Sequence, residues 1–359
     1  MMAQVQQQYV EGTRTSGSRR MTAFGGKTAD HGVNFSNTAH LSKGVVSLRK
    51  GSPFSHTPAK RMILPTLYLQ ENADPQIGLL LCKQWTLYSV TPLYNFSYGQ
   101  LNEYSRQLSL FIAAEKQKRL AVEVESDLAF KVKFSSFSAL KTTEQEPAAV
   151  LIQIMQRSQA AAKNEEGKVV WTGWFSCTGG NDIFVTVMED FTCLPLFLVS
   201  GAKGLMLLVE TWLQQTFDCC LSPLHITPIN LAWMAAIWTG CYMENHMAAT
   251  ELTFSVPGPA YPLDISYAIH PEDAKALWDS IHSTPGEVGQ EEVELFMDCL
   301  YNHFHRHFKI YLSAARLVKV STSVASVHSV GKIKVMKGKS LFLPTPVIFL
   351  LPPPFYHYR

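Results

Sequence analysis

Between residues 290 and 335 the hydrophobic period switches from that of a helix to that of a strand, and this restricts the fold more than any other feature. Val293, Phe296, Met297, Leu300, Phe304 and Phe308 recur at helical spacing, which predicts a helix over about 290–309 with one apolar face. Beyond it Val318, Val320, Thr322 and Val324 alternate with Lys319, Ser321 and Ser323. Ile333 and Val335 alternate with Lys332 and Lys334 in the same way. A period of two predicts strands at 317–327 and 332–335, joined by a short turn at Val330 and Gly331. Such strands bury one face against a core and turn a lysine-rich face outward.

The same two periods organise the rest of the chain. Tyr104, Leu108, Phe111 and Ile112 predict a helix over about 99–118. Residues 120–124 and 130–134 alternate with period two and predict an antiparallel pair. Pro147 is suited to open a short helix through Gln156, and residues 163–167 read as a turn. Strands are expected at 169–175 and 183–188, followed by a helix over about 205–217. Residues 230–238 are apolar on every side, so strand and helix both fit. Strands at 252–256 and 263–269 flank a turn at 257–259. Pro271 with Glu272 and Asp273 then starts a helix, the acids suiting its positive end. Meandering strands with separate helices give an α+β fold: a twisted, mainly antiparallel sheet with flanking helices, not a doubly wound one.

Composition sets the domain plan. With 47% hydrophobic and 17% charged residues, the chain can bury a sizeable core and is charge-poor against a usual ~25%. Residues 1–65 read as a disordered basic arm, with Arg14, Arg19, Arg20, Lys27, Lys43, Arg49, Lys50, Lys60 and Arg61 opposed only by Glu11 and Asp30. Either a solvated tail or a non-specific attraction to DNA and acidic surfaces fits it. Within it Ser52 and Thr57 precede prolines and are candidates for phosphorylation, which would reduce the arm's positive charge. Residues 66–220 form an amino-terminal α+β part, residues 221–336 a carboxy-terminal α+β part ending in the terminal hairpin, and residues 337–359 an irregular proline-rich tail. Scattered cysteines without a C-x-x-C pair suit the reducing nucleus or cytosol. The apolar stretch 341–351 is shorter than the ~20 residues of a membrane span, so no membrane association is expected.

Net charge is only +2, so any attraction to nucleic acid must come from local patches. Phosphate-cradling loops, dinucleotide fingerprints, nucleophile elbows and H-E-x-x-H are all missing from the sequence, which predicts neither catalysis nor a cofactor. The one enzyme-like feature is His303 with His307, one helical turn apart, while His305 points elsewhere. A metal- or small-molecule-dependent enzyme around them is the alternative reading, but no third ligand stands at a recognised spacing. Histidines beside an apolar helix face, contributing packing and pH-sensitive charge, are the simpler reading.

Several long segments together carry a family resemblance. They are Lys83-Gln-Trp-Thr-Leu-Tyr-Ser-Val-Thr-Pro-Leu-Tyr94, Ala114-Glu-Lys-Gln-Lys118, Trp171-Thr-Gly-Trp-Phe175 and Glu189-Asp-Phe-Thr-Cys-Leu-Pro-Leu196. To these are added 271–282, 303–309 and 316–328. Over roughly 47–335 the chain resembles the centromere protein L family. The resemblance implies a non-enzymatic subunit of the inner kinetochore, at the centromere in the nucleus, that supports mitotic chromosome segregation. It implies a heterodimer with centromere protein N through carboxy-terminal sheets, binding to centromere protein C, and contact with centromeric nucleosome and linker DNA. On that basis Val318, Val320, Val324, Ile333 and Val335 are expected at the partner interface, and Arg316, Lys319, Lys332 and Lys334 against DNA phosphates. Lysines that merely discourage edge pairing are the competing reading of that second set. After Val335 the family continues with an apolar segment of helical character, where this chain has its proline-rich tail.

Overall fold

The computed structural model describes residues 60–62, 78, 81, 83–118, 130–137, 147–156, 167–177, 190–241, 248–283 and 287–336. In chain order these form β1 Lys60–Met62, β2 Gln84–Val90, β3 Leu93–Tyr94, α1 Leu101–Gln117, β4 Phe130–Phe137, β5 Ala149–Gln156 and β6 Lys168–Ser176. There follow β7 Phe191–Thr192, β8 Leu196–Gly201, α2 Lys203–Phe217, β9 Leu221–Pro223, α3 Pro228–Gly240, β10 Thr250–Val256 and β11 Leu263–Ile269. The last are α4 Pro271–Ile281, β12 Glu287–Gly289, α5 Gln290–Phe308, β13 Arg316–Ser321, β14 Ala325–His328 and β15 Lys332–Val335.

Among the described residues one eleven-stranded sheet runs in the order β11-β10-β13-β14-β15-β2-β8-β6-β5-β4, with β9 also paired to β2. Its ladders are antiparallel. The fold is therefore α+β, as the periods imply. β2 joins two sets of strands: β8, β6, β5 and β4 from the amino-terminal half, and β15, β14, β13, β10 and β11 from the carboxy-terminal half.

The two faces of the sheet are covered differently because strand side chains alternate. On one face Val150, Ile152, Ile154, Phe197 and Val199 pack with Tyr104, Leu108 and Ile112 of α1 and with Val209, Trp212 and Leu213 of α2. On the other, Trp85, Leu87, Leu252, Phe254, Val320, Val327 and Ile333 pack with α3, which carries Trp278 of α4 and Phe296 and Leu300 of α5 in the same core. Helix α3 resolves the ambiguity at 230–238. Thr227 caps it, its hydroxyl accepting from Asn230 N at 3.2 Å, and Pro228 occupies its first turn. A helix apolar all round belongs between a sheet and other helices, where Trp233, Met234, Ala235 and Trp238 lie.

Three expectations need correction. The helix expected from Pro147 to Gln156 is strand β5, because Ala149 and Leu151 enter one core while Val150, Ile152 and Ile154 enter the other. A short run buried on both faces carries no period, so the proline misleads. The strand expected at 317–327 is two strands, β13 and β14, separated by a tight turn in which the Thr322 hydroxyl accepts from Val324 N at 3.2 Å and Ala325 N at 3.5 Å. Lys60–Met62, placed by composition in the basic arm, form β1 and pair with β12. The expected strands at 120–124 and 183–188, most of the 163–167 turn, Ser52, Thr57 and the tail 337–359 lie outside the described residues.

Turn geometry locks β2 to β15. Gly331 has φ +73° and its carbonyl accepts from Leu87 N at 2.8 Å. A Cβ there would sit 2.1 Å from the Leu224 carbonyl oxygen, so only glycine allows this approach.

Candidate nucleic-acid and partner interface

Where α1 and α2 end, the sheet face they cover continues across the carboxy-terminal half without a covering helix among the described residues. Cross-strand pairing sets its residues in rows. Thr86, Lys332, His328, Lys319, Thr253 and Ser266 are successive neighbours from β2 to β11. Beside them run Gln84, Lys334, Ser326, Ser321 and Glu251. Arg316 lies opposite Ser255, which shares its face with Thr253 and Glu251. The shift in register between Thr253 and Phe254 is what brings Arg316 and Lys319 to one side while Leu317 and Val320 both point into the core. Without that bulge, strict alternation would set Arg316 and Lys319 on opposite faces.

The phosphate-contact candidates Arg316, Lys319, Lys332 and Lys334 thus share one polar face, with Arg316, Lys332 and Lys334 exposed and Lys319 half-buried. Strand spacing puts Lys332 and Lys319, two strands apart, at about 10 Å. Among the described residues the acids beside this face are Glu251, whose carboxylate is 3.5 Å from Lys319 Nζ, and Asp264 on β11. His328 sits between the two lysines in the row. Its Nδ1 accepts from Val330 N at 3.2 Å. Burial, then Lys332, holds its pKa below the ordinary histidine value; Lys319 acts the same way and Asp264 opposes.

The side chains expected at an apolar partner interface lie mostly inside this chain. Val320, Val324 and Ile333 belong to the chain's own core with α3, Val335 is buried too, and only Val318, at the bulge, is half-exposed. Those side chains are inside because a strand's apolar face cannot be left wet while an apolar helix needs cover. The two edges of the sheet differ in how their backbone is paired. At one edge β4 is closed: Val132 N and Phe134 N donate to Ser109 Oγ (3.0 Å) and Ser105 Oγ (2.9 Å) of α1. At the other, β11 pairs only with β10 among the described residues, leaving outward amides and carbonyls along Leu263–Ile269. Sequence reasoning finds β11 as a strand but not as an edge, since edge position depends on pairing rather than composition.

His303 and His307 face each other with ring centroids 4.6 Å apart. Among the described residues no group of three His, Cys, Asp or Glu side chains is placed to hold a metal, and nothing favours the enzyme alternative.

Among the described residues the molecule is thus a long antiparallel sheet with one basic face that no helix covers and one unpaired edge. Comparison with known proteins gives its family. A family model described as centromere protein L matches residues 79–342. The chain is similar to centromere protein L of Homo sapiens, 59% identical over 308 residues that cover 86% of this chain and 90% of that one. Centromere protein L of Gallus gallus is 56% identical over 292 residues, covering 81% and 84%. A more distant relative is the inner kinetochore subunit fta1 of Schizosaccharomyces pombe, 24% identical over 258 residues, covering 70% and 88%. The chain belongs to the centromere protein L family.

Proposed function

We propose that this chain is a non-enzymatic subunit of the inner kinetochore, acting at centromeres in the nucleus. It pairs with centromere protein N, contacts centromere protein C and holds the assembly on centromeric nucleosomes, supporting chromosome segregation. Similarity to proteins named centromere protein L, and to one named an inner kinetochore subunit, supports the kinetochore role. The observation that carries the DNA part is the gathering of Arg316, Lys319, Lys332 and Lys334 on one sheet face that no described helix covers. A basic sheet surface suits phosphate contact that positions a scaffold and reads no sequence. Main-chain pairing along β11 is the matching way for a partner's sheet to continue this one.

The DNA part is tested by the affinity of the complex for linker-bearing nucleosomes across a salt series. Replacing all four cations by Ala should flatten the slope of log affinity against log salt by about 0.9 for each phosphate no longer neutralised. An unchanged slope would mean that they face solvent only. The edge part is tested with Ile265→Pro and Ser266→Pro, whose amides point to opposite sides of β11. One should weaken the β10 ladder and lower stability, while the other should leave stability and abolish co-purification with centromere protein N. Retained co-purification in the variant that keeps its stability would remove β11 from the interface.

A further inference from the structure

Three Ser/Thr-Pro dipeptides fall within the described residues: Thr91-Pro92 after β2, Ser222-Pro223 in β9 and Thr227-Pro228 at the start of α3. As sequence they are equivalent, and the fold separates them. The Thr91 side chain is half-buried, and its hydroxyl oxygen accepts from Cys220 N at 2.8 Å. Thr227 is exposed, but its hydroxyl caps α3, Ile226 before it is buried and the chain after it is helical. Ser222 and Pro223 are both exposed and lie in extended backbone, and a proline itself favours extension of the residue before it. Ser222 lends its carbonyl to Ser89 Oγ at 3.2 Å, while its hydroxyl is uncommitted among the described residues. β9 pairs there only with β2, so its outer edge meets no strand.

We propose that Ser222 is a phosphorylation site for a proline-directed protein kinase. Such an enzyme takes its substrate as an extended segment with the hydroxyl and the following ring uncovered, and of the three dipeptides this one meets that demand as folded. In the transfer, Ser222 Oγ attacks the γ-phosphorus of ATP held by the kinase. The bond from that phosphorus to the bridging oxygen breaks, ADP leaves, and the hydroxyl proton passes to the kinase's catalytic carboxylate. The phosphoserine carries a charge of about −1.5 to −2 at pH 7. Its side of the sheet follows from the ladder. Tyr88 and Val90 pack toward α1 and α2, so Ser89 between them turns to the α3 side, and Ser222 directly opposite Ser89 shares it. Lys332 lies opposite Thr86, which shares its face with Tyr88. The phosphate therefore adds charge on the side away from the lysine row, whereas phosphate in the basic arm would cancel positive charge.

The test incubates the purified full chain with ATP and magnesium and either a cyclin-dependent kinase with its cyclin or a mitogen-activated kinase, and maps phosphate against time by mass spectrometry. Ser222 should be modified in the folded chain, with Thr91 and Thr227 more than about tenfold slower, since each must first open locally. Pro223→Ala should slow modification of Ser222 by more than about tenfold, the ring being what the kinase reads. Pro223 is exposed, so this variant should keep a cooperative thermal transition near the wild-type midpoint, which separates lost recognition from lost folding. Ser222→Ala should remove the phosphate mapped to this segment. No phosphate at Ser222 with either kinase, equal rates at Thr91 and Thr227, or an unchanged rate in Pro223→Ala would each overturn the proposal.

Discussion

At one end of the sheet β4 hands its outward amides to serine hydroxyls of α1; at the other β11 keeps its outward edge unpaired among the described residues. The same contrast holds for the face: α1 and α2 cover the amino-terminal half, whereas no described helix covers its continuation, where Lys332 and Lys334 are exposed and Lys319 is half-buried. Sheet edges and faces are hazards that soluble proteins cover unless a partner does so. The amino-terminal half is finished by its own helices, and the carboxy-terminal half has its core on the α3 side and, among the described residues, a polar face without a covering helix on the other.

The largest effect that could break this division is a charge placed on the side assigned to the core. Val320→Asp buries a carboxylate beneath α3 among apolar side chains and should cost several kcal/mol, enough to unfold most of the population. Val318→Asp, at the half-exposed bulge, should cost under about 1 kcal/mol. Urea denaturation of the two single variants checks the contrast. Similar midpoints would show that the two faces of β13 are wrongly divided.

A smaller effect is expected at the closed edge. Ser105 Oγ donates to Leu101 O at 2.7 Å and Ser109 Oγ to Ser105 O at 2.8 Å, and each also accepts a strand amide from β4. Mid-helix serines usually weaken a helix, and here they bridge it to a strand. Ser105→Ala with Ser109→Ala leaves the Val132 and Phe134 amides unpaired, at about 1–3 kcal/mol each. The thermal midpoint should fall and self-association by light scattering should rise, because an edge has been opened. A lower midpoint with no change in association would mean that bulk, rather than hydrogen bonding, closes that edge.

How much of this is legible in the sequence follows from which signals are local. Helix α5 with Val293, Phe296, Met297, Leu300 and Phe304, the strand Leu263–Ile269, and the helix from Pro271 follow from periodicity and caps within the segment. β2 alternates only over Gln84-Trp85-Thr86-Leu87 before burial moves to the other face at Val90, a stretch too short to read by period. β5 fails because it is buried on both faces. The shared face of Arg316 and Lys319 depends on the bulge against β10, which strict alternation excludes. The closed edge requires a contact between Ser109 and Val132, which lie on separate elements; serines in an amphipathic helix announce nothing of the kind.

The smallest expected effect concerns His328, at the centre of the bare face. Its pKa in the folded chain is lowered by burial and by the flanking lysines, whereas the unfolded value is near the ordinary ~6.5. The folded state then binds fewer protons, so the contribution of this residue to stability is full above the unfolded pKa and falls as pH drops below it. A phosphate set between Lys332 and Lys319 reverses the balance, since a nearby anion favours the imidazolium. Nucleosome binding should therefore take up protons and tighten modestly from about pH 7.5 to about pH 6, while the chain alone loses a little stability over the same interval. His328→Gln should remove part of both trends, with titrations of affinity and urea midpoint run side by side. If the variant keeps the full pH dependence of nucleosome affinity, phosphate does not reach the centre of this face, and the basic residues around it act only as a solvated border.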